Sequence, residues 1–112
     1  LGGTPFGNAL YIESTTTLTS SNWYNIVITY DGSRNTNGLK LYINDVETTF
    51  NSLYNNLSSS TSNSNIFAIG SQYGTSSFML GIQDEVGIWN RDLSASEITE
   101  LYNSGAGLQY PN

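Results

Sequence analysis

The chain has 112 residues, no cysteine and a formal net charge of −6, and only 11% of its residues are charged. That length fits one domain with a modest core. Its three basic residues, Arg34, Lys40 and Arg91, lie far apart in sequence. The clustered cations that a nucleic-acid backbone or an anionic membrane surface requires are therefore missing, which excludes both as partners. Without cysteine there is no disulfide, no thiolate nucleophile and no Cys-based metal site.

Hydrophobic residues make up 38% and aromatics 12% of the chain, enough to fold. Ser, Thr and Asn together supply 42 residues, so the coat is held in water by hydroxyls and amides more than by charge. Such a coat suits an extracellular, cell-surface or virion location. No apolar run approaches 18 residues, so no transmembrane helix is predicted. The first residue is Leu1 and no signal peptide follows, which reads as a processed chain or a segment of something longer.

In chain order, residues 1–8 are rich in Gly, Pro and Asn and read as turn. Ala9-Leu-Tyr-Ile-Glu13 reads as a short strand, followed by a polar connection to residue 21. Trp23-Tyr-Asn-Ile-Val-Ile-Thr-Tyr30 is the strongest strand signal, with Ile26, Val27 and Ile28 apolar on both faces. A strand of that kind is predicted at the centre of a sheet, with Trp23 in the core. Asp31-Gly32 ends it.

Leu39-Lys-Leu-Tyr-Ile-Asn44 alternates cleanly, with Leu39, Leu41 and Ile43 on one face and Lys40, Tyr42 and Asn44 on the other. Asn44-Asp45 reads as a two-residue turn, because both residue types tolerate positive φ. Val46-Glu-Thr-Thr-Phe50 is then the returning arm of a hairpin, and the polar stretch 51–65 a long surface loop. Ile66-Phe-Ala-Ile-Gly70, Phe78-Met-Leu-Gly-Ile82 and Asp84-Glu-Val-Gly-Ile-Trp89 read as further strands, placing Ile69, Val86 and Ile88 in the core. Ser94 and Glu97 have the spacing of a capping box, and Ile98, Leu101 and Tyr102 make one apolar face of a helix that stops before Gly105. Many strands and one short C-terminal helix predict an all-β sandwich.

The run from Phe78 through Asp84-Glu85-Val86-Gly87-Ile88-Trp89-Asn90-Arg91 to Leu93-Ser94, Glu97-Ile98 and Leu101-Tyr102 resembles the closing strand and helix of laminin G-like, concanavalin A-like jelly-roll domains. Trp23 to Asp31-Gly32, Leu39 to Asn44 and Phe67-Ala-Ile-Gly70 resemble three earlier family segments, in the family's order. The resemblance implies an antiparallel jelly-roll β-sandwich occupying residues 1–112. Family members are typically longer, with several strands before the Trp strand, and only Leu10 to Glu13 stands for them here. A domain lacking its N-terminal strands is therefore expected, with an upstream segment or a neighbouring subunit supplying them.

The same fold hosts glycoside hydrolases, which need two carboxylates facing each other across the sugar, about 5–9.5 Å apart. Asp84 and Glu85 are adjacent, so a regular strand turns them to opposite faces. Asp45 and Glu47 have the right spacing, but the first sits on a turn. With no histidine and no cysteine a nucleophilic triad has no base. The chain therefore reads as a non-enzyme: a binding or adhesion module within a larger surface protein, whose resemblance to a lectin-like family implies a glycan partner. The other reading is a structural virion or surface-fibre domain that contacts neighbouring subunits. Tyr42, Asn44 and Trp89 are the candidate ligand-binding residues, Tyr42 and Trp89 as stacking rings; the plainer reading is that they cover the second side of the sandwich. Asp31 and Asp84 are candidate Ca²⁺ ligands, since some laminin G-like domains bind Ca²⁺ at the rim; turn and capping duty is the simpler role for both.

Overall fold

The computed structural model describes residues 8–62, 64–72 and 74–108. Its strands are β1 (Leu10–Ser14), β2 (Ile26–Tyr30), β3 (Leu39–Ile43), β4 (Val46–Thr48) and β5 (Phe50–Asn55), followed by one helix, α1 (Ala95–Tyr102). They form two antiparallel sheets, one of β1 and β5, the other in the order β2-β3-β4. The all-β antiparallel class with a short C-terminal helix is thus present.

β3 owes its central place to its pattern and its turn. Leu41 and Ile43 point to one face and Tyr42 to the other, and all three are buried; β2 and β4 flank the strand and take its backbone bonds. The Asn44-Asp45 turn closes the β3–β4 hairpin with φ of 50° and 68°, the left-handed pair that a tight hairpin needs and that Asn and Asp tolerate. The predicted central strand, Ile26–Tyr30, lies instead at the sheet edge, paired only with β3. Its Ile26 and Ile28 are 50% and 59% exposed.

The returning arm of the hairpin is shorter than expected, because the chain changes sheets at Thr49. β4 ends at Thr48, and Thr49 turns its carbonyl to the Thr15 amide (3.2 Å) and hydroxyl (3.0 Å). Beyond it lies β5, in the stretch predicted as loop, with Tyr54 stacked on Tyr11 of β1 at 5.8 Å between ring centroids. A short 3-10 turn, Thr36–Gly38, links the two sheets: its buried Thr36 donates its amide to Asn55 Oδ1 (2.9 Å) and shares a hydrogen bond with the Ser52 hydroxyl (2.9 Å).

Residues 66–70 and 78–89 form no strand; among the described residues the pairing in this region is one bridge between Gln72 and Ser76 and a bond from the Met79 amide to the Gly70 carbonyl. Ile69, Val86 and Ile88, predicted as core, are exposed, and so is Trp23 at 68%. The physical reason is the same in each case: apolar alternation makes a strand only where a neighbouring strand accepts its backbone bonds, and no described strand lies beside them. The accessible surface of the whole chain is 8453 Å², where a compact 12.2 kDa chain exposes about 6,100 Å². The radius of gyration, 14.9 Å, likewise exceeds the about 13 Å of a close-packed chain of this length.

α1 is built as the sequence indicates. The Ser94 hydroxyl accepts from the Glu97 amide (3.2 Å) and Glu97 Oε2 accepts from the Ser94 amide (2.7 Å), completing the capping box. Arg91 grips the same carboxylate with both guanidinium nitrogens, at 2.9 and 2.7 Å. The left-handed C-terminal residue is Asn103 (φ 47°), ahead of Gly105. The helix is anchored by Ile98, the one fully buried large side chain among the described residues, and by Thr99, whose hydroxyl donates to Asp45 Oδ1 in the β3–β4 turn (2.7 Å). Replacing Ile98 with Ala is expected to cost about 2–5 kcal/mol in urea unfolding, and Ser94→Ala about 1 kcal/mol.

The Arg91 pair, together with the bonds from Ser94, lowers the Glu97 carboxyl from 4.5 to about 2. A depressed carboxylate stabilises the fold fully above its unfolded value and stops doing so as pH falls through its folded value. The first turn of α1 is therefore expected to loosen between pH 4.5 and 2, seen as shifts of the Ser94 and Glu97 amide resonances. Glu97→Gln should flatten that acid dependence, and salt should weaken it, because both partners are solvent-accessible.

Candidate ligand groove

An open groove lies where the chain changes sheets, lined by Asn37, Leu39, Glu47, Thr48, Thr49 and Phe50. Its position follows from local geometry. The 3-10 turn that carries Asn37 is fixed by the Asn35 side chain, which accepts from the Asn37 amide (2.8 Å), and by the Gly38 amide bonded to the Asn35 carbonyl (3.0 Å). A Cβ at Gly38 would meet the Asp31 carboxylate and the Ser33 hydroxyl, and those side chains would have to move. Leu39 opens β3 opposite Tyr30, and Glu47 stands opposite Tyr42 on β4. The sheet change at Thr49 then swings Phe50 onto β5, opposite Ser14.

The lining combines two apolar side chains, two hydroxyls, an amide and a carboxylate. Glu47 is the sole carboxylate among these lining residues. Hydrolysis of a glycosidic bond uses a pair, one as acid and one as base or nucleophile, and the groove as lined supplies one. Polar groups and apolar side chains thus lie side by side along this open surface.

The structure does not gather the residues singled out from the sequence into one site. Tyr42 is 7% exposed, so its ring offers no stacking surface. Asn44 is occupied with the turn: its Oδ1 accepts from the Asn25 amide (2.9 Å) and its own amide donates to the Asn25 carbonyl (2.8 Å). Trp89, 39% exposed, lies in the stretch without strand pairing.

Asp31 Oδ1 accepts from the Ser33 amide (2.8 Å), and the Ser33 hydroxyl and amide together hold its carboxyl below the usual range. Asp84 Oδ1 accepts from the Glu85 amide (2.9 Å). Among the described residues no three acidic side chains gather as a metal site. Asp31 and Asp84 thus each accept from a backbone amide within two residues.

The groove residues were visible in the sequence only in other roles: Leu39 as one position of an alternating strand, Phe50 as the end of a hairpin arm, Glu47 as a weighed catalytic acid. The change of sheet that brings them together leaves no mark in local periodicity.

Two antiparallel sheets and a capped C-terminal helix define an all-β domain, and comparison with known proteins makes the class specific. The family model Laminin_G_3, described as the concanavalin A-like lectin/glucanases superfamily, matches residues 2–99, and the chain belongs to this family. Its fold class is accordingly the concanavalin A-like antiparallel β-sandwich. No curated protein matches the chain. Among solved structures, it is similar to an S-layer domain-containing protein (residues 221-444) from Clostridium thermocellum ATCC 27405, at 26% identity and a TM-score of 0.48. That similarity covers 79% of this chain and 42% of the other.

Proposed function

We propose that the chain is a non-catalytic carbohydrate-binding module of a larger extracellular or surface protein. The observation that carries this reading is the open groove at the sheet change. A sugar presents C–H faces and hydroxyls together. Phe50 and Leu39 match the first, and the Asn37 amide, the Thr48 and Thr49 hydroxyls and the Glu47 carboxylate match the second. Membership of a superfamily described as lectins and glucanases supports a glycan ligand. The single carboxylate in the groove supports binding without hydrolysis. The polar, weakly charged coat supports a location outside the cell.

Glycan-array screening followed by calorimetry tests the reading. Binding of at least one polysaccharide is expected, weakened about tenfold by Phe50→Ala, the change that 1.4 kcal/mol represents. No reducing sugar should be released. Unaltered affinity in Phe50→Ala, or sugar release that disappears in Glu47→Gln, would contradict it.

A further inference from the structure

The groove at the sheet change offers acceptors more than donors, once the bonds its side chains already make are subtracted. A hydroxyl has one proton to give. That of Thr48 goes to the Val46 carbonyl (3.0 Å). The Thr15 hydroxyl donates to the Thr49 carbonyl (3.0 Å), so the proton between the Thr15 and Thr49 hydroxyls, 2.6 Å apart, comes from Thr49. Both lining threonines are therefore left with lone pairs and no free proton. Glu47, an acceptor only, is exposed and is bonded to nothing among the described residues. The Asn37 side chain, likewise unbonded there, is the one lining side chain with donors to spare.

Charge runs the same way. No cation lines the groove. Of the three basic residues, Arg91 is paired with Glu97 and Arg34 donates to the Ser58 carbonyl (3.3 Å). Lys40 stands on β3 opposite Thr29, outside the lining. The chain as a whole carries −6. Phe50 adds an aromatic ring, an apolar surface to which cations are drawn.

On the footing that the groove binds carbohydrate, we propose that it selects polysaccharides bearing free amino groups, with Glu47 as the residue that sets the selection. A protonated amino group brings three donors and no acceptor, the complement of an unbonded carboxylate beside hydroxyls without free protons. N-acetylation replaces it with a neutral amide that has one donor and an acceptor of its own. A uronate brings acceptors and meets like charge. The order of affinity is therefore amino sugar, then N-acetylated sugar, then acidic sugar. Because Glu47 is exposed, its pairing with one ammonium changes affinity by at most about fivefold, and salt screens it.

Calorimetry with hexasaccharides of glucosamine, N-acetylglucosamine and galacturonate tests the selection, at a pH of about 5.5, above the carboxylate and below the amine range. Glucosamine is expected to bind about threefold to fivefold tighter than N-acetylglucosamine, and galacturonate more weakly than either. The preference should vanish in Glu47→Gln and fade in about 1 M salt, and Glu47→Lys should reverse the order. Binding of galacturonate or N-acetylglucosamine as tight as that of glucosamine, and lost in Phe50→Ala, would overturn the selection while leaving carbohydrate binding in the groove intact. A glucosamine preference that survives Glu47→Gln would trace to the charge of the whole chain, and would overturn it equally. Binding of none of the three would do so as well, and the glycan array then decides whether the chain binds carbohydrate at all.

Discussion

The rest of the structure depends on β3 being enclosed. Leu41 and Ile43 need cover on one face, Tyr42 needs it on the other, and the backbone needs a partner on each side. β2 and β4 supply the backbone partners. The Asn44-Asp45 turn sets the register with β4, and the same turn offers Asp45 to Thr99, which ties α1 to the hairpin. The 3-10 turn before β3 reaches across to β5 through Thr36, so the two-stranded sheet is attached at the start of the same strand. A defect in β3 would loosen the hairpin, the helix anchor and the link between sheets together.

Enclosing one strand on both faces consumes most of the cover this chain has. The apolar residues of 66–89 and the outer face of β2 remain open to water, and each large apolar side chain left so forfeits about 1.5–3 kcal/mol of burial. A concanavalin A-like sandwich covers such residues by stacking a second sheet. Here the two-stranded sheet is too small to do so for residues whose backbone has no ladder of its own. The open β2 edge and the groove at Thr49 arise from the same geometry: the chain leaves the three-stranded sheet after only three residues of β4.

What could be read from the sequence was what local chemistry determines. The Asn44-Asp45 turn, the alternation of Leu39 to Ile43 and the Ser94–Glu97 capping box each involve residues within a few positions of one another, and each is present. β5 was hidden because its residues are mostly polar; it becomes a strand through pairing with β1, about 40 positions away. The runs around Ile69, Ile82 and Ile88 have strand composition, but composition provides no partner. Trp23 and Ile28 carry a core signature, and their exposure shows that apolar character sets a demand for burial without ensuring that it is met. The candidate site followed the same rule. Tyr42 and Asn44 were identifiable as special positions, but their side chains serve the hairpin. The groove depends on the sheet change at Thr49, a long-range event.

Amide hydrogen exchange across the chain tests the central claim most directly, because it reports which backbone bonds are enclosed. The slowest exchange is expected at Leu41, Tyr42 and Ile43 and at Val27 and Thr29 of β2, opposite Tyr42 and Lys40, with residues 78–89 exchanging close to the unprotected rate. Protection of residues 78–89 equal to that of β3 would show a second enclosed strand, and would contradict the account in which β3 is the one enclosed strand among the described residues.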